Sequence, residues 1–140
     1  MADKLMLDMD EIRMITLFEN ITKAPIKDCV LGDGTVCFVV EEGRIGTAIG
    51  KNGSQVKRVE KMVGKGIKLF EFSNDTSTFV KNVIPQAKSI KIRNEDGRTI
   101  VDIKVEKKDR PFVIGWDQRD LKFYKKILQR NHGIDDLVVK

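Results

Sequence analysis

Apolar residues recur along the chain with two alternating periods, and the alternation runs through the same succession of elements twice. Met14, Leu17, Phe18 and Ile21 stand at helical spacing and predict an amphipathic helix. Phe79, Val80, Val83 and Ile84 predict its counterpart. Pro25 and Pro85 stand near the ends of these helices, where proline discourages continuation. Alternating apolar sequence follows each helix and is broken by Asp33-Gly34 and by Asp96-Gly97, both strong hairpin signals. A later amphipathic helix carries Val56, Val59, Met62 and Val63. At an offset of 65 residues its stripe becomes Leu121, Tyr124, Ile127 and Leu128, and Phe38-Val39-Val40-Glu41 becomes Ile103-Lys104-Val105-Glu106. Each copy then reaches a glycine expected to close the helix, Gly66 or Gly133. An apolar strand follows, Ile67 to Phe72 or Ile134 to Val139.

Each copy therefore reads helix, strand, strand, helix, turn, helix, strand. Three strands with helices grouped on one face make an α+β sandwich. Two such units divide the chain at 1–74 and 75–140. Each is near the lower limit for a self-sufficient core. The only linker, Ser73 to Ser77, is too short for a flexible tether, and part of it should cap the helix that follows. A nearly fixed relationship between the copies is expected.

A turn, Gly50-Lys51-Asn52-Gly53, joins a short helix (about Arg44 to Ile49) to a longer one (about Ser54 to Val63). Glycines at both ends permit backbone angles and close approaches that a Cβ would forbid. The N–H groups and positive dipole end of the longer helix face the turn, which suits an anion. Lys51 adds a point charge, and Lys57, Lys61 and Lys65 repeat every four residues as one helix face. Ile45, Ile49 and Val56 flank the turn and could line an apolar floor for bases. A nucleotide-binding P-loop is excluded at both defining positions. Gly50-Lys51 is followed by Asn52, and Ile45 stands five residues before Gly50.

Charge sharpens this reading. Residues 43–68 hold Arg44, Lys51, Lys57, Arg58, Lys61, Lys65 and Lys68 against Glu60 alone, inside a chain of net charge +5 whose first 42 residues are acidic. A local basic patch suits a polyanion. Hydrophobic residues at 41 % and charged residues at 34 % predict a soluble folded protein. No apolar run approaches the roughly 18 to 20 residues that span a bilayer, and Met1 to Lys4 do not open a signal peptide. Cys29, Cys37 and the single His132 do not make a zinc site. Buried, reduced thiols in a cytoplasmic protein are expected instead. His132, beside Gly133, reads as a helix-end residue. No nucleophile, base and orienting group form a set, so no catalytic residue, metal, cofactor or small-molecule substrate is expected.

Ala48-Ile49-Gly50-Lys51-Asn52-Gly53-Ser54-Gln55-Val56 resembles the signature of the KH domain, whose Gly-x-x-Gly loop clamps about four nucleotides of single-stranded nucleic acid. The element order is similar to the prokaryotic, type II arrangement. Two such domains in tandem resemble the RNA-binding half of the NusA family of transcription factors, in its compact archaeal form. The resemblance implies single-stranded RNA binding in transcription elongation or termination through Ile49, Gly50, Lys51, Asn52, Gly53, Ser54, Lys57, Arg58 and Lys61. A role in ribosomal RNA processing or ribosome assembly fits the same residues, and an exposed Trp116 and Phe123 would favour a scaffold whose second copy contacts RNA polymerase or another factor. Bacterial members also carry a polymerase-binding domain and an oligonucleotide-binding barrel, for which 140 residues leave no room.

The second copy departs from the motif at Gly115-Trp116-Asp117-Gln118. Gln118 adds a side chain where backbone should approach phosphate, and Asp117 would repel it while capping the next helix. Gly115, Trp116 and Arg119 remain as a weaker second site, with Trp116 either stacking on a base or packed against the neighbouring copy. Lys107, Lys108 and Arg110 could support an RNA path nearby. The second turn itself is expected to contribute little.

Overall fold

The computed structural model describes residues 9–32, 34–115 and 118–140. The expectations placed on Met1 to Lys4, Asp33, Trp116 and Asp117 lie outside the described residues. The chain divides into two compact units between Ser73 and Asn74, each built on its own three-stranded sheet.

In the first unit, α1 (Met9–Thr22) leads into β1 (Ile26–Leu31) and β2 (Thr35–Val40). The helix ends in a tight handover. Lys23 takes φ 62°, its N–H donates to the Glu19 carbonyl at 2.8 Å, and the Glu19 carboxylate accepts from the Ile26 N–H at 2.8 Å. After β2 come α2 (Ile45–Ile49), a single 3₁₀ turn (Lys51–Gly53), α3 (Ser54–Val63) and β3 (Gly66–Glu71). β1 pairs antiparallel with β2, whereas β3 pairs parallel to β2 on its other side. A parallel partner needs a crossover connection, and α2 with α3 supplies it.

Val36, Phe38 and Val40 alternate onto one face of β2, where they pack with Phe18 of α1, Ala48 of α2 and Val59 of α3. All three helices therefore cover that face, with the Phe18 and Phe38 ring centroids 4.3 Å apart. Cys37 and Val39, on the opposite face, are also fully buried. Cys29 lies in the helix-side core, so the two cysteines sit on opposite faces of the sheet and are unbridged. Burial pushes the Cys37 thiol well above its ordinary range, and Cys29 and Asp28 add to the shift.

The second unit repeats the order with α4 (Thr76–Val83), β4 (Ser89–Glu95), β5 (Arg98–Lys104), α5 (Arg110–Ile114), α6 (Arg119–His132) and β6 (Asp136–Val139). Its sheet has β5 in the middle, antiparallel to β4 and parallel to β6. Asp96 and Gly97 both take positive φ, 52° and 79°, as a two-residue hairpin turn of the primed kind requires. Within the linker, Asp75 caps α4, accepting from the Thr78 N–H at 2.9 Å and the Thr78 hydroxyl at 2.6 Å. His132 ends α6, its ring stacked on Phe79 at 5.2 Å and its Nδ1 3.1 Å from Thr76 Oγ1.

Three sequence expectations need correction. α3 is closed by Gly64, at φ 73°, and Gly66 opens β3 instead. In the second unit Gly133, at φ 63°, does close α6. Because α3 stops at Val63, Lys65 lies beyond it and does not continue the face of Lys57 and Lys61. Met62 is 61 % exposed, not buried. At 100° per residue it falls roughly 90° from the centre of the Val56, Val59 and Val63 stripe.

Candidate nucleic-acid interface

The turn between α2 and α3 is held by its own backbone. The Gly50 N–H donates to the Gly46 carbonyl at 3.0 Å, and the Gly53 N–H to the Gly50 carbonyl at 3.2 Å. Gly50 takes φ 77° and ψ 173°, a region open essentially to glycine alone. Asn52 and Gly53 follow in the left-handed region at φ 56° and 74°. Gln55 folds back against Gly50, so that a Cβ there would lie 2.4 Å from Gln55 Cγ. This supporting role was absent from the sequence reading, and the spacing of five between the two residues is no periodic signal.

Lys51, Asn52, Ser54, Lys57, Arg58 and Lys61 are all exposed, Ile49 is 39 % exposed, and Gly50 and Gly53 are half-buried. The structure thus brings every residue expected of the first site onto the turn or the helices beside it. Gly53, at the N-cap of α3, has no side chain with which to cap it, so the first turn of the helix offers donors and the positive end of its dipole to an incoming anion. Ile45 and Val56 are half-buried beside the turn, as an apolar floor requires.

β3, at the edge of the sheet, is fixed to the site by two carboxylates. Glu60 of α3 accepts from the Ile67 N–H at 3.1 Å, and Glu71 accepts from the Gly43 N–H, ahead of α2, at 2.6 Å. Glu60, the lone acid of the basic window, therefore serves as a structural acceptor. Of the apolar residues on this strand and just after it, Ile67 and Leu69 are half-buried while Phe70 and Phe72 are buried. Phe72 lies beneath the Lys27 ammonium, 4.3 Å from the ring centroid.

The second unit differs in its surface. Arg119, Lys107 and Arg110 are exposed and Gly115 is half-buried. Lys108 pairs with Glu106 at 3.5 Å, and Lys88 approaches the same carboxylate at 2.6 Å, holding it below the usual carboxylate range. Phe123 is half-buried, so the exposed-Phe123 basis for a scaffold is not met. Phe112 of α5 is instead 73 % exposed. Among the described residues no cluster of three metal-ligating side chains occurs, and no helix is long and apolar enough to cross a membrane.

Comparison with known proteins gives this geometry a family. Residues 12–74 match the family model of the KH domain. A probable transcription termination protein NusA from Methanocaldococcus jannaschii is 36 % identical over 138 residues, covering 97 % of this chain and 75 % of that protein. The chain belongs to the NusA-like family of transcription termination proteins. The family likeness extends to Halococcus morrhuae, whose probable NusA is 32 % identical over 127 residues, with 90 % of this chain and 91 % of that protein covered. In Thermoplasma acidophilum the corresponding NusA-like protein is 25 % identical, over 99 % of this chain and 97 % of its own. The crystal structure of APE1850 resembles the chain with a TM-score of 0.80 at 30 % identity, covering 96 % of this chain and all of that one.

Proposed function

We propose that the chain is a non-catalytic, single-stranded RNA-binding protein of transcription elongation or termination, built of two type II KH domains at 1–74 and 75–140. The observation that carries this reading is the Gly50–Gly53 turn, with its glycine-only conformation at Gly50, its exposed Lys51 and Asn52 and the absence of a capping side chain at Gly53 ahead of α3. Phosphates meet the backbone from Gly50 to Gly53 together with Lys51 and Ser54, and Lys57, Arg58 and Lys61 extend the positive track. Bases rest on Ile49 and the apolar residues beside it and reach toward the edge of β3. The second domain is supported by the repeated element order and by a sheet whose last strand is again parallel to the central one.

The relatives are named for transcription termination, which supports RNA polymerase or another transcription factor as a protein partner and the cytoplasm as the compartment. Binding of short single-stranded RNA across a salt series tests the RNA reading. Contacts to about three phosphates give log K against log[salt] a slope of roughly −2. Affinity that is flat with salt, or absent at low salt, contradicts it.

A further inference from the structure

The first and last residues of the glycine turn take nearly the same backbone angles in both units. Gly115 sits at φ 74° and ψ 174°, against 77° and 173° at Gly50. Gln118 takes φ 60° and ψ 20° where Gly53 takes 74° and 15°. The Gly115 N–H donates to the Pro111 carbonyl at 2.9 Å, four residues back, as the Gly50 N–H does to Gly46. Neither following helix is capped by the side chain at its N-cap position. The charged helix face persists too, since Lys57 and Lys61 correspond to Lys122 and Lys126, all four exposed. The replacement of glycine by Gln118 has therefore not altered the backbone angles at that position.

What differs is the side chain lying over the first glycine. A Cβ on Gly50 would lie 2.4 Å from Gln55 Cγ, whereas one on Gly115 would lie 2.5 Å from Asp120 Oδ2 and 2.7 Å from its Cγ. The two residues hold the same register position, five after the glycine. An uncharged amide side chain supports one turn and a carboxylate supports the other. Asp120 stands in the first turn of α6, where a helix attracts negative charge. It supplies from within the protein the anion that the helix end would otherwise take from phosphate, and it repels a phosphodiester approaching the turn.

Resting on the RNA-clamp reading of the first turn, we propose that Asp120 is the specificity-determining residue that closes the second turn to RNA. Gln55 is its permissive counterpart. The asymmetry between the two turns is then set by negative charge at the second, Asp120 adding to the repulsion expected of Asp117, rather than by altered backbone angles at Gly115 or Gln118.

Fluorescence anisotropy with a short labelled single-stranded RNA at low salt tests this in four proteins, each checked for folding by circular dichroism. These are the parent chain, Lys51→Asp/Asn52→Asp, the same double variant carrying Asp120→Gln, and the parent carrying Gln55→Asp. The double variant should lose binding. Adding Asp120→Gln should recover affinity by about tenfold or more, and Gln55→Asp alone should weaken the parent by about tenfold, the scale of one close charge repulsion. Folded proteins in which Asp120→Gln recovers nothing and Gln55→Asp costs nothing overturn the proposal. If Asp120→Gln fails to fold, Gln55→Asp decides alone, and unchanged affinity overturns it. A double variant that binds as tightly as the parent overturns the RNA-clamp reading itself, which separates that failure from this one.

Discussion

Gly50 and Gly53 are both glycines of one motif, yet the structure requires them for different reasons. Gly50 combines a glycine-only φ/ψ pair with a contact that leaves no room for a Cβ against Gln55. Gly53 takes an ordinary left-handed conformation, and a Cβ there would meet only Lys57 Cε, at 3.9 Å. Gly50→Ala should therefore cost about 1 to 3 kcal/mol of stability. Gly53→Asn should cost less than about 1 kcal/mol, because asparagine visits this region readily. Urea denaturation of the two variants measures the difference, and equal losses would refute it. The glycine spacing and the basic residues were legible because side-chain identity alone carries them. Gln55 and Asp120 were not, because their importance comes from a side chain folding back over a turn.

At the scale of elements, repetition made the order of helices and strands readable, since each helical stripe and each hairpin signal recurs at a near-constant offset. The parallel pairing of β2 with β3 was not read from the sequence, because local pattern gives the helices of the crossover but not the strand beside which β3 settles. Gly64 was passed over for Gly66 because only two residues separate them, and the helix end decided between them. The Phe18 and Phe38 contact joins α1 to the central strand of the first unit. Phe38→Ala should cost about 3 to 5 kcal/mol, read as a lowered urea midpoint. Several carboxylates of the second unit are held below their usual range. Hydrogen bonding from Arg93 holds Asp102 below the usual range, and bonds from Thr78 do the same for Asp75. Arg93 Nε lies 2.8 Å from the Asp102 carboxylate. Burial alone would raise Asp136, but Lys125 and the Leu137 N–H bring it below the ordinary value. A carboxyl whose folded pKa is depressed contributes fully above its unfolded value, about 4, and loses that contribution as pH falls through the folded value. Thermal unfolding should thus be insensitive to these groups near neutrality and fall below about pH 4. Asp102→Asn should flatten that acid limb, and an unchanged limb would show that the Arg93 pairing does not supply it.

For the whole molecule, the decisive feature is a duplicated fold with unequal turns. The duplication and the family resemblance were legible from the sequence. The inequality was legible only in part, since Gln118 looked like a broken loop and instead keeps the left-handed backbone. RNA binding is assigned to the first turn, so a change confined to that turn tests it most directly. Lys51 and Asn52 are exposed, and replacing both by Asp reverses the local charge while leaving the core untouched. Filter binding of short single-stranded RNA to a Lys51→Asp/Asn52→Asp protein, with circular dichroism matching the parent, should show affinity reduced by about a hundredfold or more. Affinity equal to the parent in that folded variant would contradict the account.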